Sequence, residues 1–232
     1  MDVVFLGIND VGMKVYEWLC DREEVNVLAL LTTEKQLEIV SDLEPDIIVS
    51  VGYRHIVPED LLELPDMGCI NLHPAYLPYN RGANPNVWSI VDGTPAGATL
   101  HYMDEGVDTG NVIARKKVEK RFDDTGKDLH NRLEEAQFEL FVENWPEIES
   151  GEAEATPQQE GGTYHELTEF EELCELEPDE EYTVKEILDR LRALTFPPFD
   201  NAFVEIDGKK YYVEVDIKSE EECGDEETDG LL

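Results

Sequence analysis

The chain has 232 residues, 41% of them hydrophobic, with 55 acidic against 18 basic side chains and a formal charge of −37. That apolar share supports a packed core and excludes wholesale disorder, while the charge repels nucleic-acid phosphate and anionic lipid. The acids occupy nearly every segment, the pattern of a solvated shell suited to a high-salt cytoplasm; an acidic interaction surface is the alternative. Cys20, Cys69, Cys174 and Cys223 lie far apart with no C-x-x-C pair. Neither a metal site nor a disulfide framework is expected, and a reducing compartment fits. The start MDVVFLGIND lacks the basic region of a signal peptide, and no apolar run reaches the length of a bilayer. The expectation is a cytoplasmic protein with no nucleic-acid and no membrane partner.

In chain order, Val3–Leu6 reads as a buried strand closed by Gly7, and Val11–Cys20 as a helix. Gly7 and Gly12 lack G-x-G-x-x-G spacing, so a tight packing turn is expected there rather than a dinucleotide loop. A second strand over Val25–Leu31, a helix over Glu34–Leu43 and a third strand over Asp46–Val51 follow. Pro58–Leu64 reads as a short helix and Cys69–Leu72 as a fourth strand. This alternation predicts an α/β fold with a doubly wound, mostly parallel, Rossmann-like sheet. Gly97–Tyr102 and Val112–Val118 add two strands, and Lys127–Ile148 a long amphipathic helix. Residues 1–150 are thus expected to form the main domain and the polar residues 151–182 a linker or surface segment. Residues 183–217 form a small module. A capping box, Thr183 with Glu186, opens a helix that Pro197 and Pro198 end. A hairpin over Asn201–Ile217 turns at Asp207-Gly208, with Ala202, Val204 and Ile206 facing inward. The remainder, 218–232, reads as an acidic disordered tail.

Chemistry concentrates between residues 71 and 110, the least acidic stretch of the chain. Asn71 and His73 are two apart at the end of an apolar run, so in extended backbone both project to one side, at the carboxyl edge where open α/β sheets place ligands. Pro74 ends the strand there. Asp108, between Gly106 and Gly110, lies in the loop after the next strand and can reach the same edge. An amide that donates to a developing oxyanion, an imidazole that holds or moves a proton and a carboxylate beside it are suited to acyl transfer. The residues alone leave open a loop-ordering Asn, a half-exposed His and one more acidic loop.

The series N-x-H-P…L-P…R-G…P-N…G-A-T…D-E-G-V-D-T-G resembles the formyltransferases that use 10-formyltetrahydrofolate. The resemblance covers roughly residues 1–150, in three segments in the right order. It implies catalytic roles for Asn71, His73 and Asp108. It also implies that the folate co-substrate lies against Gly52–Pro58, with Tyr53, Arg54, His55, Ile56 and Val57, and against Asp104, Glu105, Gly106 and Val107. Within the family, Y-L-P-Y-N-R-G-x-x-P-N-x-W and Leu191–Val215 are most similar to the nucleotide-sugar N-formyltransferases. That points to a nucleotide-linked aminosugar as partner, held by Tyr79, Asn80, Arg81, Gly82, Asn86 and Trp88 together with the C-terminal module, and to a possible homodimer. The runners-up are methionyl-tRNA formyltransferase, whose C-terminal domain is larger and basic, and glycinamide ribonucleotide transformylase. One departure from the family pattern is expected: a strand–helix unit between Val25 and Asp46 looks trimmed.

Other residues have plainer expectations. His101, mid-strand, reads as a packed core histidine; His130 and His165 read as solvated; Trp88 reads as core before a stacking platform. Arg115, Lys116, Lys117, Lys120 and Arg121 read as exposed strand ends, with a phosphate site as the alternative. Phe196, Phe199 and Tyr212 could wall a base, although a small module needs aromatics to stay folded.

Overall fold

Alternation within the first strand builds both faces of the molecule. In β1 (Asp2–Leu6) Val3 and Phe5 face one layer, Val4 and Leu6 the other, and all four are fully buried. The computed structural model describes residues 1–7 and 9–220, so Cys223 and residues 221–232 of the expected tail lie outside the described residues. Gly7 has φ +102°, and a Cβ there would meet the Val51 carbonyl oxygen at 2.1 Å. Close packing therefore accounts for this glycine. Asn9 then caps α1 (Asp10–Cys20) by accepting from the Gly12 N–H at 2.8 Å.

After β2 (Asn26–Leu31), the expected single helix is instead a 3₁₀ helix over Glu34–Ile39 running into a four-residue α2 (Val40–Leu43). The Gln36 side chain accepts from the N–H groups of both Thr32 and Thr33, which tightens the first turn. β3 (Ile47–Ser50) follows directly, so one strand and one short crossover fill this region. α3 (Glu59–Leu62) is shorter than its pattern and leads to β4 (Cys69–His73). Then come β5 (Arg81–Gly82), α4 (Pro85–Val91), β6 (Ala96–Tyr102), β7 (Val112–Val118) and α5 (Gly126–Glu149).

The main sheet has the order β2-β1-β3-β4-β6-β7. Its first four strands are parallel, and β6 and β7 run antiparallel to their neighbours. α1 and α5 cover one face, where Trp18 meets Phe141 and Trp145 edge-on at 5.9 and 6.1 Å. Each fully buried aliphatic or Phe side chain there stabilises by roughly 1.5–3 kcal/mol. Leu37, Val40 and Leu61 cover the other face. No described helix is long and apolar enough to cross a membrane.

Residues 151–182 are not a plain linker. They carry β8 (Tyr164–His165), α6 (Leu167–Cys174) and β9 (Glu175–Leu176), and β8 pairs with β5. His165, expected to be solvated, stacks on Trp88 with ring centroids 3.9 Å apart and donates from Nε2 to Asp92 at 2.9 Å. His130, also expected to be solvated, packs edge-on against Phe196 and lies 3.4 Å from Glu134. The expected capping box opens α7 (Val184–Leu194), and Val87, Ile90, Leu129, Leu133, Ala193 and Leu194 form one cluster that docks the C-terminal module onto α4 and α5. β10 (Phe203–Ile206) and β11 (Lys209–Tyr212) form the hairpin, beside β9. Its facing differs from expectation: Ala202 is buried, but Ile206, Tyr211 and Tyr212 are 43%, 52% and 54% exposed. Among the described residues no layer covers them.

Candidate active site

β4 carries Asn71 and His73 to the carboxyl edge, and β6 lies antiparallel beside it with Asn71 opposite His101 and His73 opposite Thr99. The loop after β6 brings Asp108 back over this pair in a left-handed conformation, φ +54°. Gly110 permits that return, because a Cβ on it would sit 1.9 Å from the Tyr102 carbonyl oxygen. The outcome is a buried knot. Asn71 Nδ2 is 3.3 Å from Asp108 Oδ1 and 3.3 Å from His101 Nε2. His73 Nδ1 is 3.5 Å, and His101 Nε2 3.6 Å, from the same carboxylate. The Gly82 N–H donates to Asp108 Oδ2 at 2.9 Å.

Hydrogen-bond direction fixes the tautomers. His73 Nε2 faces the Asn80 carbonyl at 3.0 Å and His101 Nδ1 faces the Tyr102 carbonyl at 2.8 Å. A carbonyl only accepts, so each of those nitrogens carries a proton. His101 Nε2 lies within reach of both the Asn71 amide and the Asp108 carboxylate. Burial alone would raise the Asp108 pKa. The imidazoles of His73 and His101 and the Gly82 N–H outweigh it and hold the carboxyl well below the usual carboxylate range. The site therefore keeps a fixed negative charge under two imidazoles.

A cavity of about 620 Å³ opens above this knot, a size typical of small-molecule sites. Every residue expected at the folate lines it: Tyr53, Arg54, His55, Ile56 and Val57 on one side, Asp104, Glu105, Gly106 and Val107 on the other, with Asn71, His73 and Asp108. Burial raises the Tyr53 phenol. Ile56 and Val107 remain 72% and 39% exposed on its walls, apolar surface that a planar ring would cover. Among the described residues no group of His, Cys, Asp and Glu could hold a metal.

The expected acceptor residues divide. Gly82 lines the cavity, while Tyr79 stands at the surface. Asn80 is buried beneath, and Arg81 reaches Gln158 Oε1 at 2.9 Å. Asn86 and Trp88 are not brought to the cavity: Asn86 donates to the Gly126 carbonyl and Trp88 is buried under His165. Three members of the basic cluster are also engaged elsewhere. Arg115 donates to the Leu77 carbonyl, Lys116 pairs with Glu139 and Glu143, and Lys120 bonds the Ser89 and Thr94 carbonyls. Phe196 and Phe199 pack on each other, and Tyr212 on Phe203. His101 is buried as expected yet belongs to the site; its place opposite Asn71 across β4 and β6 was the signal.

The formyl transferase family matches residues 23–144, and the N-formyltransferase dimerization C-terminal domain matches residues 169–219. A dTDP-4-amino-4,6-dideoxyglucose formyltransferase of Mycobacterium tuberculosis is 34% identical over 188 residues, 81% of this chain and 79% of that one. The crystal structure of a 4-N formyltransferase from Francisella tularensis superimposes with TM-score 0.86 at 25% identity, covering 94% and 98% of the two chains. The formyltransferase PseJ from Anoxybacillus kamchatkensis, in complex with UDP-4,6-dideoxy-4-formamido-L-AltNAc and tetrahydrofolate, gives TM-score 0.66 at 35% identity over 74% and 89%. Methionyl-tRNA formyltransferases of several bacteria match at 33–41% identity, and the chain spans only 39–61% of their length. Matches across both halves of the chain, joined to Asn71, His73 and Asp108 at the base of a cavity, establish that the chain belongs to the formyl transferase family.

Proposed function

We propose that this enzyme transfers the formyl group of 10-formyltetrahydrofolate to the amine of a nucleotide-linked aminosugar. The observation that carries the reading is the Asn71–His73–Asp108 knot at the base of the cavity. The apolar side chains on its walls are suited to a pteridine, and the sugar enzymes are the relatives matched over most of their length. The attacking nitrogen bonds to the formyl carbon, the bond to the donor nitrogen breaks, and one proton moves from the attacking to the departing nitrogen. Negative charge gathers on the formyl oxygen meanwhile. Asn71 contributes an N–H to it: its bonds at 3.3 Å are long and readily exchanged for a stronger acceptor. Asp108 faces His73 Nδ1, the nitrogen left to donate to the oxygen or to relay the proton once Nε2 is bonded to Asn80.

The acceptor lies toward Gly82 and Tyr79, with Arg81 the nearest cationic group of the expected set for its phosphates. The exposed Ile206, Tyr211 and Tyr212 pack against a second copy, making a homodimer, and the acidic shell suits a salty cytoplasm. The test is to incubate the enzyme with 10-formyltetrahydrofolate and a panel of dTDP- and UDP-linked aminosugars and follow formylated product by mass. Formylation of methionyl-tRNA in preference to every aminosugar would overturn the acceptor.

A further inference from the structure

We infer that residues 156–165 are a strap that sets the geometry of the knot, with Gln158 and Thr163 as positioning residues for the formyl transfer proposed above, on which this rests. Two non-glycine residues with left-handed backbone bond directly to the side chains of the knot or form part of it: Asp108, φ +54°, and Asn80, φ +59°. Such backbone in residues other than glycine persists where its surroundings hold it. The strap supplies one side chain to each.

Gln158 Nε2 donates to the carbonyls of Asp108 and Gly110 at 2.8 and 2.9 Å, pinning the turn that presents the carboxylate. Its own oxygen is gripped by Arg81 Nε and Nη2 at 3.2 and 2.9 Å. Thr163 Oγ1 accepts from the Asn80 N–H at 2.8 Å and donates to Asn80 Oδ1 at 3.0 Å. That matters because the Asn80 carbonyl receives the His73 Nε2 proton. Gln158 thus acts on Asp108, and Thr163, through Asn80, on His73. Neither reaches the cavity lining.

The strap is itself fastened at both ends. Thr156 exchanges two backbone hydrogen bonds with Val112, at 2.8 and 2.9 Å. At the other end β8 pairs with β5, the Arg81 N–H bonds the Thr163 carbonyl, and His165 is held by Trp88 and Asp92. Gly162 lets the strap pass the Pro78 carbonyl, where a Cβ would sit 2.1 Å away.

Three variants test this. Gln158→Glu keeps an acceptor for Arg81 and removes both donors; Thr163→Val keeps shape and removes the hydroxyl; Thr163→Ser keeps the hydroxyl. The expected result is a kcat lower by about 10–100-fold in the first two, the range that a misplacement of about 1 Å produces. KM for donor and acceptor and the thermal midpoint should stay close to wild type, and Thr163→Ser should restore kcat. The ring ¹⁵N resonances of His73, read without substrate, should move in Gln158→Glu and Thr163→Val and not in Thr163→Ser. Unchanged kcat in Gln158→Glu and Thr163→Val overturns the strap, as does a loss that Thr163→Ser shares or that follows the folded fraction. A wild-type enzyme that formylates no aminosugar overturns the acceptor reading instead, and the His73 resonances then decide the strap alone.

Discussion

At the carboxyl edge of the main sheet, Asn71, His73, His101 and Asp108 are partly or fully buried and held against one another; at the C-terminal hairpin, Ile206, Tyr211 and Tyr212 stand half in solvent. Both regions invert the ordinary partition of polar outside and apolar inside. The first inversion is expensive, because each buried polar group must find a partner, and it is justified by chemistry on a small molecule. The second carries no such internal network; the homodimer proposed above would cover it. The two regions are opposite departures from one rule.

The comparison breaks most sharply at Asp108. Asp108→Asn and His73→Ala should each lower kcat by about 100-fold or more with the fold retained, since each removes charge stabilisation realised in the transition state. Near-wild-type turnover in either would show that the buried polar cluster is structural only. The same carboxylate has a pH signature. Its folded-state pKa lies below its unfolded value, so its contribution to stability is full above the unfolded value of about 4 and is lost as pH falls through the folded one. Urea melts of Asp108→Asn should therefore show a shallower loss of stability on acidification than wild type. A parallel acid limb would contradict the depressed pKa.

At the hairpin, Tyr211→Ser with Tyr212→Ser should weaken self-association by on the order of 10-fold or more, since exposed aromatics dominate such contacts, with little change in the monomer's melting. Sedimentation velocity across a concentration series reads it, and a wild-type chain that stays monomeric throughout would remove the second inversion. Salt acts on both regions through the shell. Raising KCl from about 0.1 M to about 2 M should raise the thermal midpoint by several degrees, because the Debye length falls to about 3 Å or less; indifference to salt would favour an acidic interaction surface. The last effect is local and leaves both regions unchanged. Burial pushes the Cys69 thiol up to about 12, whereas Cys20 is exposed. Iodoacetamide should label Cys20 at least on the order of 100-fold faster than Cys69, as peptide mapping would show.

The chemistry at the sheet edge was legible because Asn71 and His73 are neighbours of one strand, and period-two alternation is a local property. Asp108 was legible through its bracketing glycines. His101 was undervalued: a histidine inside a strand looks like core, and only the antiparallel pairing of β4 with β6 sets it opposite Asn71. The alternation of Ala202, Val204 and Ile206 predicted a strand correctly, yet alternation does not say which face finds a covering layer. Asn86 and Trp88 share a motif with the site, but α4 turns them toward α5 and His165. Gln158 and Thr163 left no sequence signal, since their role exists only once the distant Asp108 and Asn80 are beside them.

The pairing of β5 with β8 joins residues 81–82 to residues 164–165. Closing so long a loop costs entropy before any contact repays it. A nascent chain halted at residue 150 already holds Asn71, His73 and Asp108, but the Asn80 N–H and the Asp108 carbonyl still lack their partners. On the strap proposed above, competence would arrive late in synthesis, when the stretch that follows α5 doubles back across the sheet edge, and a chain cut at residue 150 would lack it.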